Sequence, residues 1–151
     1  NNIFIREAAI EEQIKYGTVT EVAQLVSELP PEFYSSVSAA LASSGVKNKA
    51  SFMGGKLIDD MVKGAINNRQ DLLNYCAEWL QGGKYKPEAL ANTDADGVKL
   101  LIEAVNNTSI ISKEKRASIK ETIDTILSDE RLSASVIDAA KDQFKNLRNM
   151  L

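Results

Sequence analysis

Helix-breaking residues divide this chain into short segments, and that division limits its fold more than any other feature. Proline disrupts a helix interior but is tolerated in the first turn, and it occurs only at Pro30, Pro31 and Pro87. Most glycines also stand between segments whose apolar residues recur every three or four positions. The spacing predicts about eight helices of roughly 10 to 17 residues, with short connections and no strand.

The sequence YGTVTE at residues 16–21 marks the clearest boundary between two helices. Gly17 is suited to end the first helix in a left-handed cap, and Thr18 is suited to begin the second. Glu21, three residues after Thr18, would complete a capping box. The second helix then carries an apolar stripe made of Val19, Val22, Ala23, Val26 and Leu29.

The C-terminal part of the chain predicts two long helices. Ser112 is placed to cap the first of them, whose apolar residues include Ile119, Ile123 and Ile126. The last helix has the most regular apolar side of the chain, with basic residues in its C-terminal half. That side consists of Leu132, Val136, Ile137, Ala140, Phe144 and Leu147.

These segments predict a single all-helical domain spanning residues 1–151. Short connections make successive helices antiparallel neighbours. Such hairpins form either a short HEAT/armadillo-like superhelix or an irregular helical bundle. Short helices in series favour the superhelix, although the sequence contains no strict repeat.

Composition predicts a cytoplasmic protein. Hydrophobic residues make up 44% of the chain and charged residues 26%, as in ordinary folded domains. No apolar run approaches the roughly 20 residues of a membrane-spanning helix, and the first residues do not resemble an export signal. A single cysteine cannot form an internal disulfide, which fits a reducing compartment.

The chain contains no histidine, which argues against an enzyme. Ser/His and Cys/His nucleophile pairs are excluded, as is the commonest zinc ligand. Cys76 is spaced like a core residue relative to Leu72, Leu73 and Leu80, so we expect it to be a buried apolar side chain. We predict no catalytic residue, no metal and no cofactor.

The stretch NTDADGVKLLIE, residues 92–103, resembles the spacing of an EF-hand calcium loop. However, Val98, Leu101 and Val105 already follow a helical stripe through the supposed loop. We therefore interpret the stretch as a helix start with Thr93 or Asp94 as the cap.

Other charged clusters do not indicate a catalytic or nucleic-acid site. Asp59 and Asp60 are adjacent, so on a helix their side chains diverge by about 100 degrees and cannot address one bond together. Glu114 and Glu121 interleave the basic run, and no aromatic residue lies nearby; the run consists of Lys113, Lys115, Arg116 and Lys120. With a net charge of −3, the chain lacks the electrostatics of a nucleic-acid binder.

Acidic residues are concentrated at the N-terminal end. Residues 1–46 contain six glutamates but only Arg6 and Lys15 as basic residues. Tyr16 and Tyr34 stand near these glutamates and would provide aromatic anchors at an interface. The predicted partner-binding residues are Glu7, Glu11, Glu12, Glu21, Glu28, Glu32, Tyr16 and Tyr34.

These properties predict a protein-binding module whose partner is basic. Its most concrete form is an immunity or inhibitor protein that neutralises a nuclease toxin through an acidic N-terminal helical face. We expect a monomer that binds neither nucleic acid nor membrane. The alternative is a structural or assembly protein, such as a viral or scaffold component, that acts by self-association.

Overall fold

The computed structural model describes residues 2–30, 33, 37, 39–40, 56–64, 66–83, 85–136 and 138–151. Regular secondary structure in these ranges is helical, which confirms the predicted all-α class. The helices are α1 (Asn2–Tyr16), α2 (Val19–Glu28), α3 (Lys56–Val62), α4 (Arg69–Gly82), α5 (Pro87–Ala91), α6 (Ala95–Asn107), α7 (Lys113–Ser128), α8 (Glu130–Ser135) and α9 (Asp138–Met150).

Short polar side chains start several of these helices by accepting hydrogen bonds from backbone N–H groups that have no partner within the helix. Asn68 accepts from the Asp71 N–H at 2.8 Å at the start of α4. Ser112 accepts from the Lys115 N–H at 3.2 Å, which confirms it as the cap of α7. The helix boundaries therefore follow from local sequence.

The C-terminal apolar side is divided between two helices, so the prediction of one long last helix is wrong. The α8 helix ends at Ser135, and Val136 has an extended backbone with φ −82° and ψ 128°. The break falls in the sequence SASVI, where serine and β-branched residues have weak helix propensity. Phe144 and Leu147 are nevertheless fully buried on α9.

Helix α6 is the centre of the packing. It contacts α9 near the C-terminal end, α4 in the middle of the chain and α2 near the N-terminal end. Leu101 and Ala104 on α6 are fully buried, and they belong to one contiguous apolar cluster that extends from Ile10 to Leu147. The most extensive contacts of α6 join it to helices two and three positions away along the chain, an arrangement that suits both the predicted superhelix and the irregular bundle. The choice between these two architectures therefore stays a prediction.

A close contact fixes α2 against the start of α6. The Thr20 hydroxyl donates to Asp94 Oδ1 at 3.0 Å, and Thr20 is buried. A Cβ atom at Gly97 would lie 2.5 Å from the Thr93 methyl group, so only glycine fits without a shift. This contact positions the N-terminal helices on the rest of the fold.

None of the helices in the described ranges is both long enough and apolar enough to cross a membrane.

Candidate protein-binding site

The turn at residues 16–18 makes α1 and α2 a helical hairpin. The Thr18 side chain accepts from the Glu21 N–H at 3.2 Å, and Glu21 Oε1 accepts from the Thr18 N–H at 3.4 Å. The predicted capping box is therefore confirmed. Gly17 does not have the predicted left-handed conformation, because the described glycines with positive φ are Gly64 and Gly83. Glycine is needed there because a Cβ would lie 2.5 Å from the Gln13 carbonyl oxygen.

The α2 helix has a buried side and an exposed side. Its predicted apolar stripe, Val19 to Leu29, is buried as expected. The opposite side carries Glu21, Gln24, Leu25 and Glu28, which follow the helical spacing of three, four and seven residues. Glu21 and Glu28 are exposed, whereas Leu25 is half-buried. The two glutamates therefore share one outward side of α2.

On α1, Ile10 and Ile14 are buried, whereas Glu11 and Glu12 are exposed. Tyr16, at the end of this helix, is 65% exposed. The Lys15 ammonium lies 5.5 Å from the centroid of the Tyr16 ring, a distance at which the ring attracts a cation.

Two adjoining concavities lie along the hairpin and together form what we call the hairpin groove. The larger has a volume of about 490 Å³ and extends to Leu29, while the smaller has about 380 Å³ and reaches Tyr16. Ala9, Gln13 and Glu21 line both of them. The remaining lining residues are Ile10, Gln24, Leu25 and Glu28 in the larger concavity and Glu12 and Gly17 in the smaller one.

The carboxylates of the hairpin groove have no cationic partner among the described residues. The ion pairs among the described residues involve carboxylates outside the groove, at Asp60, Glu103, Asp124 and Asp138. Glu21 is held by neutral donors, the Gln13 amide at 3.0 Å and Thr18. Glu28 is the last residue of α2, where the negative end of the helix dipole disfavours a carboxylate. These carboxylates thus keep their negative charge available at the surface.

The structure brings together only some of the predicted binding residues. Glu12, Glu21, Glu28 and Tyr16 line the hairpin groove. Glu11 is exposed on α1 but does not line it. The side chain of Glu7, on α1, falls outside the described part of the structure, as do Glu32 and Tyr34.

The predicted binding residues did not include seven uncharged residues that line the groove: Ala9, Ile10, Gln13, Gly17, Gln24, Leu25 and Leu29. Gln24 and Leu25 had a detectable signal, because they continue the helical spacing from Glu21 to Glu28. Ile10 and Gln13 had none, since their place in the groove depends on how α1 packs against α2.

The calcium-loop alternative is incompatible with the geometry at residues 92–103. Asp94 is the N-cap of α6, with its carboxylate accepting from the Gly97 N–H at 2.7 Å. The helix continues from Ala95 to Asn107, so the second half of the supposed loop is helical. Among the described residues, no group of three or more acidic, cysteine or histidine side chains is arranged to hold a metal.

Asp60 has a structural role between α3 and α4. It accepts hydrogen bonds from the Lys56 ammonium at 2.6 Å and from the Tyr75 hydroxyl. These two bonds lower the pKa of the Asp60 carboxyl. Burial and the bond to Asp60 raise the pKa of the Tyr75 hydroxyl. Asp60 therefore joins two helices, and its neighbour Asp59 is exposed, as expected for a helix edge.

Cys76 is fully buried, as predicted. Burial raises the pKa of its thiol to about 12, so the thiolate needed for nucleophilic chemistry is not formed at neutral pH.

Comparison of this chain with protein families, curated proteins and solved structures finds no match. Its function must therefore be inferred from the chemistry of the hairpin groove.

Proposed function

We propose that this chain is a protein-binding module of the immunity or inhibitor type, which captures a basic protein through the hairpin groove. The observation that supports this most is the set of carboxylates at Glu12, Glu21 and Glu28. They line adjoining concavities beside exposed Tyr16, and no cation pairs with them among the described residues.

Unpaired surface carboxylates act mainly on the rate of association. They attract a positively charged partner over several ångströms and orient it before contact, which raises association rates by about 10-fold or more at low salt. Each exposed ion pair adds little to affinity, about 0.2 to 1 kcal/mol. In the apolar floor of the groove, formed by Ile10, Leu25 and Leu29, half-buried Leu25 would supply most of the apolar contact, because Ile10 and Leu29 are already almost fully buried. A rapid inhibitor of a basic nuclease needs this combination.

The test compares two variants with the same change in net charge. Glu12→Gln/Glu21→Gln/Glu28→Gln neutralises the hairpin groove, and glutamine at position 21 preserves the capping box. Glu78→Gln/Glu121→Gln/Glu130→Gln neutralises exposed carboxylates on other helices. Proteins from the source organism are captured on the wild-type chain, identified by mass spectrometry and purified. Their association rates with all three chains are then measured at increasing salt.

We expect a basic partner whose association with the groove variant is about 10-fold slower, with a weaker salt dependence. The control variant should differ little from the wild type. If the partner is a nuclease, its cleavage rate should fall as the wild-type chain is added. A partner that binds all three chains at the same rate would overturn the proposed face, and an acidic partner would overturn the proposed function.

Self-association is the alternative, and the described surface gives it less support. Among the described residues, the exposed large apolar side chains are Tyr16 and Ile110. A monomer in sedimentation velocity at all tested concentrations is the result that we expect. An oligomer that persists on dilution would favour an assembly protein instead.

A further inference from the structure

We infer that the hairpin groove takes one amphipathic α-helix of the partner, with basic residues seven positions apart on either side of an apolar residue. This inference rests on the proposed function and specifies which structure of the partner is recognised. It is drawn from the spacing of charged and apolar residues along α2.

The exposed side of α2 repeats over two helical turns. Glu21 and Glu28 are seven residues apart, which corresponds to about 10 Å along the helix axis. Between them lies Leu25, half-buried against the core and part of the groove floor. The order along the groove is therefore carboxylate, apolar side chain, carboxylate.

A helix is the occupant that suits this floor. The backbone groups of α1 and α2 are already bonded within their own helices, so the groove offers no row of free N–H and C=O groups to an extended peptide. An extended segment over Ile10 and Leu29 would gain no backbone hydrogen bonds from the groove, and its backbone groups would stay bonded to water. A helix satisfies its own backbone and presents only side chains.

The same spacing defines the partner sequence. On a helix aligned with α2, basic residues at positions i and i+7 lie about 10 Å apart and reach Glu21 and Glu28. An apolar residue at i+3 or i+4 then faces Leu25 and Ile10. The Gln13 and Gln24 amides flank this contact and provide both donors and acceptors for polar side chains beside it.

The probes are two synthetic peptides of about 20 residues, each held helical by a side-chain bridge on its outer face. The matched peptide has arginines at i and i+7 with leucine at i+4. The control peptide has the same composition, but its second arginine stands at i+5, which turns it about 140 degrees away from the first. Binding is measured by calorimetry at low and at physiological salt.

Four chains are compared: wild type, Glu28→Gln, Leu25→Ala and Glu121→Gln. Glu28→Gln and Leu25→Ala should each weaken the matched peptide by about two- to fivefold. The control peptide should bind the wild type about two- to fivefold more weakly than the matched peptide, because it loses the same contact with Glu28. Glu121→Gln should leave the affinity unchanged, because Glu121 is exposed on α7 and does not line the groove.

Failure of this inference is distinguishable from failure of the proposed function. If the two peptides bind equally well and neutralising the groove abolishes this binding, the proposed spacing of basic residues is wrong. The groove would still be an acidic binding face. Affinity that none of the groove variants changes would overturn both. Absence of binding at millimolar peptide would overturn the inference, while the capture experiment would still test the function.

A second copy of this chain is the occupant that the test must exclude, because α7 carries Lys113 and Lys120 seven positions apart. Sedimentation of wild type and Glu28→Gln tests it. A dimer of the wild type that Glu28→Gln dissociates would show that the groove binds its own chain and would overturn the assignment to a partner helix. A monomer in both cases supports the assignment.

Discussion

Two regions of this molecule use their carboxylates differently. Around the central helix α6, carboxylates meet arginines from other helices: Glu103 on α6 pairs with Arg69 on α4, and Asp124 on α7 pairs with Arg148 on α9. In the α1–α2 hairpin, the described glutamates meet neutral donors or solvent, and Glu28 stands at the helix end where its charge is unfavourable.

The difference separates charges that join helices from charges that are available to a partner. An arginine that already neutralises a carboxylate weakens its attraction for a second cation, and the Arg148 guanidinium holds the pKa of Asp124 below its usual value. Within the described residues, the hairpin glutamates form no ion pair with an arginine or a lysine. We therefore expect mutations in the first region to change stability and mutations of the groove carboxylates to change binding.

The largest expected effect is in the core. Phe144 on α9 is fully buried, and Phe144→Ala should lower the free energy of unfolding by about 3 to 5 kcal/mol because it removes apolar contacts and leaves a cavity. Urea denaturation measures the loss, with Glu11→Ala as an exposed control. A loss below about 1 kcal/mol would contradict the central place given to the α6–α9 packing.

A smaller effect is expected where the hairpin joins this core. Gly97→Ala places a methyl group against the buried Thr93 side chain, so it should destabilise the fold by about 1 to 2 kcal/mol despite the better helix propensity of alanine. Gly82→Ala is the matched control, because its Cβ would meet nothing within 4 Å. Denaturant midpoints of both variants measure the contrast.

Thr93→Ser combined with Gly97→Ala removes the methyl group that causes the clash. We expect this double variant to recover part of the lost stability. Equal effects of Gly97→Ala and Gly82→Ala would show that the start of α6 does not constrain the position of α2.

The local features of both regions could be predicted from the sequence. Thr18, Ser112 and Asp94 were predicted as caps, with Asp94 as one of two alternatives, because short oxygen side chains bond to N–H groups two or three residues away. The buried stripe of α2 and the burial of Cys76 follow from helical spacing alone. These interactions depend on residues close together in the chain, and the sequence displays them directly.

Features that depend on distant residues were not predictable in the same way. The bond from Tyr75 to Asp60 and the contact of Thr20 with Asp94 join separate helices. The groove exists only because α1 packs against α2. The sequence therefore predicted the groove glutamates but not Ile10 in its floor. The break at Val136 was missed because the apolar spacing continues across it.

Asp60 joins α3 to α4 through its hydrogen bonds, so it is a carboxylate with a structural role that can be compared with the groove glutamates. Tyr75→Phe removes the hydroxyl that donates to Asp60 but keeps the ring, which lies 5.7 Å from the Lys56 ammonium. We expect a loss of about 1 kcal/mol in the free energy of unfolding at neutral pH. Asp60→Asn should also destabilise, whereas Glu12→Gln, whose carboxylate has no such role, should change stability little.

The pH dependence gives an independent check of this bond. The folded pKa of Asp60 lies below the ordinary 3.8, so its contribution is complete above that value and is lost as the pH falls below it. The folded pKa of Tyr75 lies above 10.0, so its contribution is present below that value and is lost as the pH rises. Tyr75→Phe should remove the contribution of Tyr75 at high pH and reduce the loss at low pH, where the bond from Lys56 still lowers the pKa of Asp60. An unchanged profile would exclude the bond.

The smallest expected change in stability is also the most informative about function. Neutralising Glu28 removes a negative charge from the C-terminal end of α2, so Glu28→Gln should raise the free energy of unfolding by about 0.3 to 0.5 kcal/mol. Asp124→Asn, which breaks the pair with Arg148, should lower it, and salt should reduce that loss.

A stabilised Glu28→Gln chain that binds its partner more weakly could not owe the weaker binding to unfolding. Glu28 would then lower the stability of the fold and at the same time be required for binding. Residues of functional sites commonly show this combination. If Glu28→Gln instead destabilises the chain, the carboxylate has a structural partner, and the hairpin no longer differs from the core in the way described.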